Sequence, residues 1–195
     1  LAAGESVSDL LVQMKELALA AKDSSLTAAS RTALNEDFVS LRAQIASVVA
    51  NAEFNGMNLL DGTATGGFKA LANVAGDSTI DIASQTMTLA ALSIDASTLT
   101  TETNAGAALT AIDDAIAAVS SKLAKLGTGS KALGTHLTFV NKLQDTLEAG
   151  VGNLVDADLA KESARLQALQ TKQQLGVQAL SIANSSTSIL LGLFR

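Results

Sequence analysis

The stretch that decides the fold is LTAIDDAIAAVSSKLAKLGTGSKALGTHLTFVNKLQDTLEAGVGNL, which runs from Leu109 to Leu154. Two series of residues spaced seven apart pass through it, one from Leu109 to Val151 and one from Ile112 to Leu154. Twelve of these fourteen positions are apolar. A heptad repeat sustained over this length predicts a long helix whose apolar seam packs on another helix, as in a coiled coil.

Glycines lie at two places along this helix. Gly127, Gly129 and Gly134 fall within the heptads, and each costs roughly 1 kcal/mol relative to alanine in a helix interior. Because the heptad phase continues across them, we expect a weakened helix there and no domain break. Gly150 and Gly152 are the stronger candidate for a hinge before a last helix.

The N-terminal quarter predicts two consecutive helices or one interrupted helix over residues 5–52. A polar segment, Lys22 to Thr27, separates two runs with helical spacing. Thr27 with Ser30 supplies N-cap chemistry for the second run. The apolar positions of the two runs are Val7, Leu10, Met14, Leu17 and Ala21, then Leu34, Phe38, Leu41, Ile45, Val48 and Ala52.

Residues 53–103 change character. Asn55-Gly56 and Asp61-Gly62 are turn dipeptides that accept positive φ. The segment that follows is rich in Thr, Gly, Ala and Ser, and its short alternations predict strands at 68–74, 78–82 and 86–89. Gly76-Asp77 predicts a hairpin between the first two.

The C-terminal segment is apolar on more than one face and carries no charge between Lys172 and Arg195. Asp156 and Asp158 place acidic side chains near the start of the expected last helix, where the helix dipole favours them. A helix that is apolar on several faces must be buried on several sides. The rest of the chain offers too little surface for this, so we expect the partners to be other chains.

Composition excludes several function classes. The net charge of −6, with no dense Lys/Arg cluster, argues against a nucleic-acid partner. The absence of Cys removes disulfides and thiolate chemistry, and no apolar run approaches the roughly 20 residues of a membrane span. His136 is the only histidine, so we expect no metal site, and because no other motif supports one we expect no cofactor and no enzymatic activity. Since the chain begins with Leu1 and not Met, we expect a piece of a longer protein.

Motifs at both ends resemble those of bacterial flagellins, with the alphaproteobacterial members most similar. At the C-terminal end these are DADLAKES at 156–163, LQALQTKQQLG at 166–176, Ala-Asn at 183–184 and the closing LFR at 193–195. At the N-terminal end, MKELA at 14–18 resembles an early helical motif of that family, and FNG at 54–56 with Leu59-Leu60 resembles its turn into the β-region.

The resemblance implies a mainly α fold: long antiparallel helices in a coiled-coil-like rod, with a small β-hairpin region. It divides the chain into N-terminal rod helices and turn (1–62), a short variable β-rich surface region (63–103), a C-terminal rod helix (104–154) and a C-terminal inner-tube helix (155–195). The family's N-terminal inner-tube helix is expected before Leu1. Where many members have Pro after Ala-Asn, this chain has Ser185-Ser186-Thr187.

These patterns select two sets of site residues. The residues expected to pack the rod are Leu10, Met14, Leu17, Leu34, Phe38, Leu41, Ile45, Leu109, Ile112, Ile116, Val119, Leu123, Leu137, Val140 and Leu147. Those expected at the subunit interface of the inner tube are Leu166, Leu169, Leu175, Val177, Leu180, Ile182, Ile189, Leu190, Leu193 and Phe194.

The function that the resemblance implies is a structural subunit of the extracellular flagellar filament, which self-assembles into a helical tube for motility. It further implies type III export, a chaperone on the C-terminal tail, and contacts with filament cap and hook-associated proteins. Host Toll-like receptor recognition is expected to be weak. The family's recognised Leu aligns with Leu17, but Gln13 and Asp37 stand where the family has Arg and Glu.

Two alternatives remain at the level of sequence. One is a hook–filament junction protein related to flagellin, and the other is a flagellin-like binding module on the cell surface. The short segment at 63–103 leaves little room for a ligand cleft, which counts against the second. The segment GTGSK at 127–131 departs from a phosphate-binding loop in length and in residue order.

Overall fold

The structure is a computed structural model that describes the backbone of residues 1–193 and the side chains of residues 1–183. It divides into two units, Leu1–Leu137 and Thr138–Arg195. Its helices and strands are α1 (Ala2–Ala21), α2 (Ala28–Ala50), β1 (Glu53–Phe54), β2 (Met57–Asn58), β3 (Phe68–Leu71), β4 (Thr79–Ile82) and α3 (Glu102–Leu193).

The N-terminal quarter forms two separate helices, and the predicted cap of the second is present. The amide of Ser30 donates a hydrogen bond of 3.1 Å to the Thr27 hydroxyl oxygen, which satisfies one of the free amides at the start of α2. The Arg31 guanidinium donates to the carbonyl oxygens of Ala21 at 3.0 Å and Asp23 at 2.7 Å. These bonds fix the turn between α1 and α2.

The third helix runs from Glu102 to Leu193 without interruption. The predicted continuity across Gly127, Gly129 and Gly134 is therefore confirmed, whereas the predicted break at Gly150 and Gly152 is wrong. A glycine weakens a helix but keeps its amide, so the ladder of hydrogen bonds continues, as it does not at proline. The division into rod and inner-tube regions at residue 155 stays a prediction.

Helix α1 packs antiparallel to the first part of α3. Gly4 lies so close to Leu123 that a Cβ added at Gly4 would be 2.6 Å from the Leu123 Cδ2. About three turns along α1, the Lys15 ammonium pairs with the Asp113 carboxylate at 2.7 Å. The core of this unit is aliphatic apart from Phe38, and it consists of Val7, Leu11, Met14, Ala18, Ala21, Phe38, Ile45, Val49, Leu60, Met87, Leu92, Ile94, Leu99, Ala105, Ala108, Ile112, Ala115, Val119 and Leu126.

The four short strands form two antiparallel hairpins. In the β1–β2 hairpin Glu53 pairs with Asn58 and Phe54 with Met57. In the β3–β4 hairpin Phe68 pairs with Ile82 and Leu71 with Thr79. Positive φ angles of 52° at Asn55, 78° at Gly56 and 76° at Gly76 confirm that the predicted turn residues close both hairpins.

The third predicted strand, at 86–89, is wrong. This segment is irregular, although the amides of Gln85 and Met87 donate to the carbonyl oxygens of Leu59 and Leu60, both at 2.7 Å. The Met87 side chain is fully buried, and the Thr86 carbonyl accepts a hydrogen bond from the Lys122 ammonium. The alternation at 86–89 therefore reflects side chains that are buried against helices, and no strand ladder forms there.

The loop between β4 and α3 belongs partly to the core. Leu92, Ile94 and Leu99 are buried. The Arg42 guanidinium holds this loop on α2 by donating to the carbonyl oxygens of Asp95 at 2.6 Å and Ser97 at 2.9 Å. The region predicted as a variable surface therefore contains a segment that is needed for packing.

Candidate assembly surface

The residues predicted to pack the rod fall into three groups. Met14, Phe38, Ile45, Ile112 and Val119 are fully buried. A second group is half-buried and packs on that core: Leu10, Leu17, Leu34, Leu41, Leu109, Ile116 and Leu123. The third group is exposed and consists of Leu137, Val140 and Leu147.

The described residues leave this third group uncovered, so its role in packing the rod stays a prediction. Leu137 is 62% exposed and Leu147 is 60% exposed. A heptad repeat indicates that a helix packs on another helix, but it does not indicate which chain supplies that helix. The seam is thus covered within the chain as far as Leu126 and is exposed from Leu137 onwards.

Exposure extends over the rest of the described side chains. Every residue from Leu137 to Ala183 is exposed, and this segment holds fifteen of the twenty-four exposed large hydrophobic residues. We call these fifteen the apolar surface of α3: Leu137, Phe139, Val140, Leu143, Leu147, Val151, Leu154, Val155, Leu159, Leu166, Leu169, Leu175, Val177, Leu180 and Ile182. Contiguous apolar exposure of this extent is typical of an interaction site.

The predicted inner-tube residues belong to this surface where they are described. Leu166, Leu169, Leu175, Val177, Leu180 and Ile182 are between 55% and 72% exposed. The predicted side chains of Ile189, Leu190, Leu193 and Phe194 lie outside the described residues.

The apolar surface of α3 is arranged on two sides of the helix in its last described part. At about 100° per residue, six apolar side chains fall within an arc of roughly 80°: Val155, Leu159, Leu166, Leu169, Val177 and Leu180. Leu175 and Ile182 lie on approximately the opposite side. A stripe of amides separates the two: Gln167, Gln170, Gln174 and Gln178. A single neighbouring helix covers only one such side, so this part of α3 has room for at least two neighbours.

Charge contributes little to this surface. Arg165 and Glu162 form an ion pair of 3.9 Å, and both side chains are well exposed. Exposed pairs of this kind contribute about 0–1 kcal/mol. Between Lys172 and Arg195 the sequence carries no charge, so contact here is governed by apolar area and by glutamine amides.

Four members of this surface, Phe139, Leu143, Val155 and Leu159, lie outside the two heptad series and the two sets of predicted site residues. Val155 and Leu159 are 51% and 61% exposed, but they follow one residue out of phase with the heptad series that ends at Leu154. Asp156 and Asp158 between them break the apolar run. Only a helical projection of the whole tail places these two residues on the same side as Leu166.

The described residues contain no features of a metal, thiolate or membrane-spanning site. Among them, no three His, Cys, Asp or Glu side chains come together as metal ligands. Within the same residues, no helix combines the length and hydropathy that crossing a bilayer requires.

Two family models match the two end regions of the chain and leave residues 66–108 between them unmatched. The model of the bacterial flagellin N-terminal helical region matches residues 2–65, and that of the bacterial flagellin C-terminal helical region matches residues 109–194. The second match includes the whole described apolar surface of α3.

Individual proteins give the same result. Flagellin FljM of Caulobacter vibrioides is 58% identical over 196 residues, which cover 100% of this chain and 71% of that protein. A flagellin of Brucella melitensis is 39% identical over 176 residues, covering 83% of this chain and 61% of that protein. The crystal structure of Bacillus cereus flagellin aligns with a TM-score of 0.63 and 26% identity over 70% of this chain and 79% of that chain.

Proposed function

Since the chain belongs to the bacterial flagellin family and is a structural subunit of the extracellular flagellar filament, we propose that the apolar surface of α3 is its assembly surface. The observation that carries this proposal is the uninterrupted exposure from Leu137 to Ala183. In the filament, neighbouring copies contribute to covering this surface, and the part after residue 155 contributes to the subunit interface of the inner tube.

Apolar area is sufficient to drive the contact. Fully burying a Leu or Val side chain is worth about 1.5–3 kcal/mol. The members of this surface are roughly half to three-quarters exposed, so each contributes about 1 kcal/mol when a neighbour covers it. Six such residues on one side of the helix give about 6 kcal/mol before the costs of ordering and association. Repetition over several neighbours makes the assembly stable.

The arrangement on two sides suits an open polymer. A contact between different patches of identical copies generates a helical filament when the rotation between copies does not close into a ring. A helix with apolar sides at approximately opposite directions makes one contact with each of two neighbours. The absence of charge between Lys172 and Arg195 avoids repulsion between repeated copies of the same segment.

The proposed partners other than neighbouring subunits follow from the family resemblance. We infer that a segment preceding Leu1 pairs with the C-terminal helix in the inner tube, and that an export chaperone binds the same C-terminal tail before assembly. The chain is exported by the flagellar type III route and contacts the filament cap and the hook-associated proteins. An apolar tail that is covered in turn by a chaperone and by other subunits is protected from premature polymerisation.

Host receptor recognition is proposed to be weak. Gln13 and Asp37 are exposed on α1 and α2, and Gln13 stands where the family has Arg. Glutamine lacks the charged, fork-shaped donor of the guanidinium group. Intact protein in a Toll-like receptor reporter assay is expected to give little signal, and strong activation would contradict this proposal.

A matched pair of charge insertions tests the assembly surface. Leu166→Glu places a carboxylate within the apolar stripe, and Gln167→Glu places the same charge one residue along, in the amide stripe. Burying an unpaired charge is far more costly than placing it where water or amides remain. Leu166→Glu is expected to raise the concentration of free subunits in equilibrium with filaments by about 100-fold or more, and Gln167→Glu much less. Equal effects of the two variants, measured by sedimentation of filaments, would exclude this surface.

Electron microscopy distinguishes the filament subunit from the two alternatives. Sheared filaments from the source cells are labelled with antibody against residues 63–103. Label along the whole shaft is expected. Label at one end only would favour the junction protein, and label on the envelope with bare filaments would favour the binding module.

A further inference from the structure

Asn55 is the only asparagine in the sequence that is followed by glycine. The Asn55-Gly56 pair forms the tip of the β1–β2 hairpin, and both residues are exposed. Among the described residues, the Asn55 side chain has no hydrogen-bond partner. A Cβ added at Gly56 would meet nothing within 4 Å. The side-chain amide of Asn55 and the backbone nitrogen of Gly56 are therefore adjacent, uncrowded and open to water.

Asn73, on the other hairpin, is exposed as well but lacks these features. Its side chain accepts hydrogen bonds from the amides of Gly76 at 3.0 Å and Ser78 at 3.3 Å, and it donates to the Asp77 carboxylate. The residue that follows it is Val74, whose branched Cβ crowds the backbone nitrogen between them. Asn73 is therefore an internal control that matches Asn55 in exposure and differs from it in side-chain freedom and in its neighbour.

We propose that Asn55 is a site of spontaneous deamidation, at which the Gly56 backbone nitrogen attacks the Asn55 side-chain amide. The bond between this nitrogen and the Asn55 Cγ forms, and the bond between Cγ and Nδ2 breaks. Nδ2 leaves as ammonia and takes the proton of the backbone amide. Water then opens the five-membered succinimide ring at either carbonyl, which leaves aspartate or isoaspartate at this position. Nothing is oxidised or reduced, so the reaction needs water alone.

Two opposing effects of the fold set the rate of this reaction. Asparagine is a thermolabile residue, and a following glycine, having no Cβ, lets the backbone nitrogen approach the side chain closely. Positive φ angles of 52° at Asn55 and 78° at Gly56, however, hold the backbone in a tight turn that must open before the ring closes. Strands β1 and β2 contain two residues each. A hairpin this short opens locally, without unfolding of the helices.

Isoaspartate would change the backbone of the hairpin as well as its charge. In isoaspartate the main chain passes through Cβ, so the two-residue turn gains a backbone atom and no longer supports the pairing of Phe54 with Met57. Both products also add a carboxylate two residues from Glu53. The Asn58 side chain, which donates to the Val49 carbonyl oxygen at 2.7 Å, still holds the base of the hairpin on α2. The expected product is a frayed turn on an unchanged helical core.

Mass spectrometry of the full-length subunit, incubated as a monomer in neutral buffer, tests this inference. Replacement of the amide NH2 by OH raises the mass at Asn55, and the converted fraction is expected to grow about 10-fold or more faster than at Asn73. Protein isoaspartyl methyltransferase with labelled S-adenosylmethionine should label the incubated subunit and not the fresh one. Equal rates at the two asparagines would overturn the inference. So would an unchanged Asn55 after a time in which the urea-unfolded chain is converted.

Asn55→Asp separates the added charge from the added backbone atom. Asp-Gly closes the same kind of turn, so the amides of residues 53–58 in this variant should exchange with solvent as in the fresh protein. In the isoaspartyl fraction of the incubated protein they should exchange several-fold faster, while the amides of α1 are unchanged in both. The reaction takes place within one chain, so neither result bears on the assembly surface of α3. Slow exchange of the hairpin in the isoaspartyl fraction would refute the proposed change in the turn.

Discussion

Substitution of Gly129 tests whether the β3–β4 hairpin packs closely on α3 at this glycine. A Cβ added at Gly129 would lie 2.8 Å from the Ile82 Cγ1 and 3.0 Å from both the Cδ1 and the Cγ2. Ile82 is β-branched and belongs to β4, so its side chain has little freedom to move aside. Gly127 in the same helix is the control, because a Cβ added there meets nothing within 4 Å.

Gly127→Ala is expected to stabilise the unit Leu1–Leu137, whereas Gly129→Ala is expected to leave its stability unchanged or to lower it. Gly→Ala in a helix interior stabilises by about 1 kcal/mol, since it reduces the backbone entropy of the unfolded chain. Gly127→Ala should show that gain in full. At Gly129 the gain is opposed by an overpacking cost of about 1–3 kcal/mol. The net effect of Gly129→Ala is therefore between no change and a destabilisation of about 2 kcal/mol.

The measurement is hydrogen exchange with mass spectrometry, because a chain with no Trp or Tyr offers little near-ultraviolet signal. Peptides from α1 report the opening free energy of the unit Leu1–Leu137. In an Ile82→Ala background the overlap is absent, so Gly129→Ala should become stabilising by about 1 kcal/mol. If Gly129→Ala stabilises the unmodified chain as much as Gly127→Ala does, the proposed close packing of the hairpin on α3 is refuted.

Three further predictions concern polar contacts. Asn58→Ala leaves the buried Leu60 amide without its acceptor and should cost about 1–3 kcal/mol in the same exchange assay; a loss below 0.5 kcal/mol would show that water replaces the side chain. The exposed Lys15–Asp113 pair should contribute about 0.2–1 kcal/mol in a double-mutant cycle and less at high salt, and a larger or salt-independent coupling would contradict this. Hydrogen bonds from the Thr63 amide and hydroxyl lower the pKa of Asp61, so its stabilisation is present above the unfolded pKa and is lost as pH falls through the folded pKa. The destabilisation by Asp61→Asn in thermal melts should therefore shrink in acid, and a difference independent of pH would exclude the carboxylate as its cause.

Sequence periodicity predicted the helices well because it depends on positions that repeat. The cap at Thr27 and the turn at Asn55-Gly56 were predictable for a related reason, since each depends on the local chemistry of one or two residues. The hinge at Gly150 was wrong because one glycine costs about 1 kcal/mol, which is too little to end a helix whose hydrogen bonds continue on both sides. The strand at 86–89 was wrong because a short alternation does not distinguish a strand from a loop that buries alternate side chains.

The sequence predicted many residues of the candidate site, but it did not predict where along α3 the exposed surface begins. The heptad series continues with the same spacing from Ile112, which is fully buried, to Leu147, which is 60% exposed. No property of the sequence marks the point at which side chains of the seam change from buried to exposed. Asn55 was recognisable only as part of a turn motif, because the exposure of a side chain depends on the packing of elements distant in sequence.

Exposure of the apolar surface has a consequence for the helix itself. Packing of an apolar face supplies most of the stability of helices in proteins, and isolated helices are marginal in water. Over residues 138–183 all side chains are exposed, and Gly150, Gly152 and Gly176 each cost about 1 kcal/mol relative to alanine. Helix formation in this segment should therefore depend on covering by neighbouring copies.

The prediction is that amides of residues 138–183 exchange quickly in dissociated monomers and slowly in filaments, whereas amides of α1 are protected in both. A tail that becomes ordered on assembly presents a poor interface beforehand, and the cost of ordering it is offset only where several neighbours bind at once. Slow exchange of this segment in the monomer, equal to that of α1, would show that the helix is stable alone. Control of assembly would then have to come from a partner that covers the surface.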